Sequence, residues 1–189
     1  FLPTTFKDID KKLIISLITF FEDDYDGGDI ICKHYDFENI WELMVEKYLN
    51  NYFETIGENC FPLFTESKKK VPLEFKKGYF KINAVNSSQS IQPDHYYIDE
   101  HDNQYIFDSK YYDKSLNKDY KQIAYTAILK NLTSGNIYSV LFLPTSQKRK
   151  SEINFKLKED YYDRNNSKDE LRIIYTYLNI KEIMIKFLK

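Results

Sequence analysis

Apolar residues recur along this chain with two different periods, and the switches between them mark its elements. From Asp10 to Phe21, the residues Leu13, Ile14, Leu17, Ile18 and Phe21 stand at helical spacing, and the acidic, Gly-containing stretch from Glu22 to Gly28 ends that first predicted helix. A short apolar piece, Ile30-Ile31-Cys32, follows. From Asp36 the series Phe37, Ile40, Trp41, Met44, Val45, Tyr48, Leu49 and Tyr52 keeps an unbroken i, i+3, i+4, i+7 pattern, with Asp36 as the expected N-cap. Asn59 to Lys77 mixes Pro62, Pro72 and charge clusters and reads as loop with at most a short strand.

Beyond Lys77 the period drops to two. Tyr79 to Val85 predicts a strand and Asn86 to Ser90 a polar loop. Asp94 to Asp99 and Gln104 to Tyr111 predict two antiparallel neighbours, because Glu100-His101-Asp102-Asn103 between them has hairpin-turn composition. Lys118 to Leu132 predicts a helix with Ile123, Ala127, Ile128 and Leu132 inward, closing near Gly135. Ile137 to Leu143 is a continuous apolar run ended by Pro144, as in a strand covered on both faces. Ile153, Phe155 and Leu157 alternate with polar residues, and Leu171 to Ile180 is β-rich before a short C-terminal helix pattern. The expected class is α/β (α+β): a central mixed sheet flanked by helices, with the first helices on one side and the helix from Lys118 on the other.

Composition narrows this only modestly. At 189 residues the chain suits a single domain spanning 1–189 with a real core. Hydrophobic residues at 42% and charged residues at 30% exclude a disordered or fibrous chain. A net charge of −2 gives no overall pull toward polyanions, so such contacts must rest on local patches such as Lys68-Lys69-Lys70 and Lys148-Arg149-Lys150, which also read as solvated loops. Cys32 and Cys60 have neither C-x-x-C spacing nor paired histidines, which argues against structural zinc and a disulfide framework and fits a reducing cytoplasm. No apolar run approaches membrane-spanning length. The start at Phe1-Leu2-Pro3 suggests a fragment of a longer protein.

Candidate chemistry lies in the two central strands. In the second, alternation places Ile106, Asp108 and Lys110 on one face and Tyr105, Phe107 and Ser109 on the other. Acid-x-Lys triplets also occur at Asp10/Lys12, Glu66/Lys68, Glu74/Lys76 and Asp119/Lys121, so the triplet alone carries nothing. Asp108/Lys110 differs in lying in an apolar β-rich strand that follows, after one strand and a turn, the chain's only Pro-Asp step, Pro93-Asp94. An ionised group there is disfavoured unless paired or bound to something, and a cross-strand salt bridge is the plain alternative. Asp94, Asp108 and a strand carbonyl near Ser109 are hard oxygen ligands of the kind Mg²⁺ takes, with Mn²⁺ as a substitute. Lys110 would orient an attacking water and offset negative charge in metal-assisted phosphodiester hydrolysis. His34, His95 and His101 are scattered, and His95, next to Asp94 on a strand, should point to the opposite face in a structural role. The chain has no phosphate loop of the G-x-x-x-x-G-K type and no G-x-S-x-G.

These motifs resemble the PD-(D/E)xK nuclease superfamily, and more closely the LlaJI-type restriction endonucleases, relatives of the McrC nuclease subunit. Phe37 to Met44 is similar to that group's helix with a Trp-Glu pair, Ile106 to Tyr112 to its catalytic strand, and Lys121-Gln122-Ile123-Ala124-Tyr125 to its Lys-Gln-x-x-Tyr helix. The resemblance, running from about Phe37 to Leu143, implies a restriction-endonuclease-like core. It also implies Glu42 as an acidic contributor, bound to metal directly or through water, Asp94 and Asp108 as metal ligands and Lys110 as the water-activating lysine. Gln122, and with it Tyr125, would position the site or substrate. Tyr125 stands three residues after Gln122, where RecB-like nucleases show four, and core packing is its alternative. Implied partners are double-stranded DNA, an AAA+ GTPase or DNA-recognition subunit and a second copy of the chain. The rivals are an McrC-like subunit that cuts only with a motor, a RecB-like repair nuclease, and an inactive DNA-binding domain of the same fold.

Overall fold

The computed structural model describes residues 12–16, 18, 37–111, 118–161 and 170–188. Residues 12–16 and 18 are helical, with Ile14 fully buried. The remainder of that predicted helix, the stretch from Glu22 to Cys32, His34 and the cap Asp36 lie outside the described residues. Helix α1, Phe37–Tyr52, buries all eight residues of the predicted stripe. Its Trp41 indole Nε1 donates to the Phe142 carbonyl at 3.4 Å, which ties the helix to the sheet.

The chain leaves α1 directly into β1, Phe53–Ile56, which pairs antiparallel with β2, Pro62–Phe64. Between them a short 3₁₀ turn, Glu58–Cys60, holds Asn59 and Cys60 at φ 58° and 64°. Within Asn59 to Lys77, predicted as loop with a short strand, β2 is that strand and 65–77 forms no further strand or helix. The strand predicted over Tyr79 to Val85 shrinks to β3, Phe80–Lys81, paired with β4, Ser90–Ile91. The reason is local: Asn83 Oδ1 accepts from the backbone N of Val85 at 2.8 Å and of Asn86 at 3.0 Å, turning the chain before the strand can continue.

The central sheet has the order β5-β6-β7-β9-β8, from β5 (His95–Ile98), β6 (Gln104–Ser109), β7 (Ile137–Thr145), β8 (Lys150–Lys156) and β9 (Arg172–Asn179). β5 and β6 are antiparallel, with His95 opposite Phe107 and Ile98 opposite Gln104. Their turn is built on Asp99, whose carboxylate accepts from the backbone N of His101 and Asn103, from Asn103 Nδ2 and from the Tyr105 hydroxyl, all within 2.8–2.9 Å. β6, β7 and β9 run parallel, and β8 lies antiparallel on the outer edge.

β7 runs through Pro144 instead of stopping before it. Lys110 N donates to the Phe142 carbonyl, so Phe142 faces β6, and Pro144, two residues on, faces the same way. β6 pairing ends at Phe142, so the missing N–H of Pro144 falls on an open edge.

The expected flanking of the mixed sheet by helices is present. Helix α3, Ile180–Leu188, joins α1 over Tyr105, Phe107, Val140, Phe142 and Ile174 in one aromatic-rich core. Helix α2, Lys118–Leu129, covers the other face, where Ile106, Tyr125 and Leu129 pack with Phe80, Ile91 and Tyr96. α2 is rotated from the predicted orientation: Gln122, Tyr125, Thr126 and Leu129 are buried while Ala127 and Ile128 face solvent, and Leu132, past the end of the helix, is exposed as well. A glutamine that satisfies two strand carbonyls has displaced an apolar stripe as the sheet-facing row. Among the described residues no helix is long and apolar enough to cross a membrane. Cys60 is free and partly buried, and Cys32 lies outside the described residues.

Candidate active site at the end of strand β6

The C-terminal end of β6 brings ionisable groups together on the α2 face. Asp108 is fully buried and Asp94, the residue before β5, is 6% exposed. Asp94 Oδ2 accepts from the Ser109 backbone N at 3.0 Å, which pins it against β6. Lys110 reaches back over the strand end: its Nζ lies 2.5 Å from Asp108 Oδ2, 3.5 Å from Asp94 Oδ2 and 3.0 Å from the Ser109 carbonyl. Asp108 Oδ2 is thus compensated by the charge of the Lys110 ammonium. Burial first, then hydrogen bonding to Asp94 and repulsion from its charge, push the Asp108 pKa up, and Lys110 and Lys121 only partly offset them.

A second lysine reaches the same carboxylate. Lys121 Nζ, at the start of α2, donates to Asp108 Oδ1 at 3.2 Å and lies 5.2 Å from the Tyr125 ring centre. Burial draws its pKa down, but the Asp108 and Asp94 carboxylates outweigh that and hold it above the ordinary lysine range. The start of α2 is itself tied down, since Asp119 accepts from the Tyr175 hydroxyl at 3.1 Å and from Asn154 Nδ2 at 2.7 Å. Sequence reasoning gave Lys121 no part in the site. Its signal was its place one helical turn before Tyr125, on the edge of the row that faces the sheet.

The other candidates stand further off. Glu42, half-buried on α1, ion-pairs with Lys77 at 3.8 Å, and its pKa is raised by burial and then by Asp94. It feels the carboxylates without closing a cluster with them: among the described residues no three His, Cys, Asp or Glu side chains are grouped to hold a metal ion. Gln122, fully buried, donates Nε2 to the carbonyls of Ile106 at 3.2 Å and Val140 at 3.3 Å, bridging β6 and β7, while its Oε1 has no hydrogen-bond partner among the described residues. Tyr125 packs on Ile106 and Leu129, and its hydroxyl meets the Gln92 backbone at 3.4 Å. Ser109 presents its carbonyl to Lys110 and its hydroxyl to His95 Nε2, at 2.7 Å. Burial pushes the His95 pKa down to about 3, so this imidazole is neutral, on the α1 face away from the acids.

The donor chemistry fits a hard divalent cation. Two carboxylates and a carbonyl, all oxygen donors of the kind such an ion takes, converge on one positive centre, the Lys110 ammonium. No protein-family model and no curated protein matches the sequence.

Proposed function

We propose that the chain is a divalent-cation-dependent DNA endonuclease domain of restriction-enzyme type, hydrolysing phosphodiester bonds with water as the nucleophile. The observation that carries this reading is the cradle around Lys110 Nζ, where Asp94, Asp108 and the Ser109 carbonyl already hold one cation between two adjoining strands. A plain salt bridge needs one acid. Here one ammonium meets two acids and a backbone carbonyl, while a second lysine takes the remaining oxygen of Asp108.

Asp94, Asp108 and the Ser109 carbonyl would hold Mg²⁺, or Mn²⁺ in its place. When bound, the ion supplies Lewis-acid polarisation and a more acidic water. Lys110, 21% exposed in its side chain, holds that cation position itself and would yield it toward solvent when the ion binds, where its ammonium would orient water and offset charge on the phosphate. Lys121 fixes the Asp108 carboxylate through Oδ1 and adds positive charge beside it. Glu42 adds negative potential from α1, and Gln122 holds β6 and β7 in register beneath the acids. DNA as the polymer rests on the resemblance to the LlaJI-type and McrC-like nucleases, as do a restriction-system setting and a motor partner.

The test is a titration of the purified chain with Mg²⁺ and Mn²⁺ by calorimetry, paired with cleavage of supercoiled plasmid. The expected result is binding of a divalent ion, lost in Asp108→Ala, and cleavage that depends on it. A chain that neither binds the ions nor cuts overturns the proposal. Cutting without added NTP or partner separates a self-sufficient nuclease from a motor-dependent subunit.

A further inference from the structure

We propose that the hairpin from Lys76 to Gln92 is an arm that grips double-stranded DNA, its tip valine wedged against the bases and its lysines on phosphates. DNA as the partner rests on the nuclease reading above.

The arm is rooted beside the site. Gly78 N donates to the Pro93 carbonyl at 2.9 Å, and Lys76 and Tyr96 exchange backbone hydrogen bonds of 3.2 and 2.7 Å. A Cβ at Gly78 would stand 2.8 Å from the Phe80 ring and 3.1 Å from Pro93, so a side chain there would push the Phe80 ring from its place at the root. Phe80 and Ile91 pack on the α2 face with Ile106, the face that carries Asp108, and the Lys77 ammonium lies 3.8 Å from Glu42. Asp94 follows Ile91 by three residues.

Beyond the root the apolar side chains turn outward. Ile82 is 45% exposed and Val85, at the tip, is 97% exposed. The tip is nonetheless ordered by its own side chains. Besides the Asn83 bonds to Val85 and Asn86, Asn83 Nδ2 donates to Gln89 Oε1 at 2.6 Å, and the N and Oγ of Ser88 both donate to Asn86 Oδ1. Little order is lost when such a tip inserts, because it is already folded.

Charge selects the partner. Lys76 and Lys81 are exposed, Lys77 pairs with Glu42 at the root, and no Asp or Glu occurs between Glu74 and Asp94, in a chain whose 29 acids outnumber its 27 bases. An apolar wedge flanked by amides and lysines, without a carboxylate, matches the way groove-binding proteins unstack a base step while contacting the phosphates on either side. A protein partner would account for the exposed valine but not for an arm that carries lysines and no acid from Phe75 to Pro93.

The experiment uses the full chain and a short duplex carrying 2-aminopurine, with Ca²⁺ in place of Mg²⁺. Wild type is expected to bind and to raise 2-aminopurine fluorescence as the base unstacks. Val85→Asp should bind about tenfold more weakly and Val85→Ala should lose most of the fluorescence rise. Lys81→Gln should lower the slope of log affinity against log salt by about one. Leu132→Asp, beyond the far end of α2, should bind as wild type does, and calorimetry should give Val85→Asp the wild-type metal affinity. If Val85→Asp and Lys81→Gln bind like wild type while plasmid is still cut, the arm is overturned and the nuclease reading stands. Arm-dependent DNA binding by a chain that takes no metal and cuts nothing supports the arm and overturns the nuclease reading. A wild-type chain that binds no duplex overturns both.

Discussion

Strand β6 presents Tyr105 and Phe107 to α1, and Gln104, Ile106 and Asp108 to α2, and all five are closed to solvent. On the α1 side the neighbours are rings: Phe53, Phe75 and Phe142 lie 5.3–5.9 Å from Phe107 or from one another, mostly edge to face. On the α2 side the neighbours are amides and ions, with Gln122 bonded to two strand carbonyls and Asp108 between two lysines. Ring packing stabilises by burial and dispersion and needs no partner from outside. A buried carboxylate with a raised pKa weakens the fold, which marks it as a candidate functional group. One face holds the molecule together, and the other is where function is to be sought.

The sharpest way to break this comparison is Asp108→Asn, which keeps the shape and removes the charge. Metal-dependent plasmid cleavage should fall about a thousandfold, the size expected when a group that stabilises developing charge is lost. Thermal unfolding should occur at or above the wild-type temperature, because burial and Asp94 disfavour the ionised group more than the lysines support it. A variant that melts well below wild type would make Asp108 a structural ion-pair member and remove the contrast between the faces.

The converse change is Phe107→Ala. Emptying a fully buried site among four rings should cost about 3–5 kcal/mol in urea-induced unfolding. The fraction that stays folded should retain its affinity for Mn²⁺, since Phe107 faces away from Asp108. Loss of metal affinity in proportion to stability would mean that the faces are not independent.

Lys110→Met tests the chemical face alone. The ammonium competes with any other cation for the same three oxygens, and unit charges 4 Å apart at an effective dielectric of about 20 are worth about 4 kcal/mol. Metal should therefore bind about tenfold or more tightly to this variant, while cleavage should be lost if Lys110 orients the water as proposed. Unchanged or weaker binding would show that Lys110 does not occupy the cation position.

The two faces also differed in how far they could be read from the chain. α1 was legible because one apolar row at a single period decides it, and each of its eight residues is buried. Asp94, Asp108 and Lys110 stood out because ionisable groups in an apolar strand are costly, a signal that needs no partner to be known. Lys121 carried no such mark: Asp119/Lys121 is one acid-x-Lys triplet among several, and only the docking of α2 puts its ammonium on Asp108. The rotation of α2 was hidden for the same reason, since the demand of the Ile106 and Val140 carbonyls for a donor is a property of the assembled sheet. Pro144 within β7 and the shortened β3 depend on which edge is left open and on where Asn83 bends the chain.

The smallest expected effect concerns the turn that fixes which residues of β5 and β6 share a face. Asp99 accepts four hydrogen bonds, and although burial works against it, the bonds from Asn103, Tyr105 and His101 hold its pKa below the usual carboxylate range. A lowered folded pKa contributes stability that is present above the unfolded value and is lost as pH falls through the folded one. Asp99→Asn should therefore cost about 1 kcal/mol at neutral pH, and the difference from wild type should shrink below about pH 4, where the wild-type carboxyl takes up its proton. Urea unfolding of both proteins at the two pH values measures it, and a difference that persists in acid would mean that the carboxylate charge is not what holds the turn. Cleavage should barely change, because Asp94 is pinned at the other end of β5 by the Ser109 backbone and not by the turn. A cleavage loss as large as that of Asp108→Asn would show that the acids are placed by hairpin register, and the separation between the face that supports and the face that reacts would have to be redrawn along the strand.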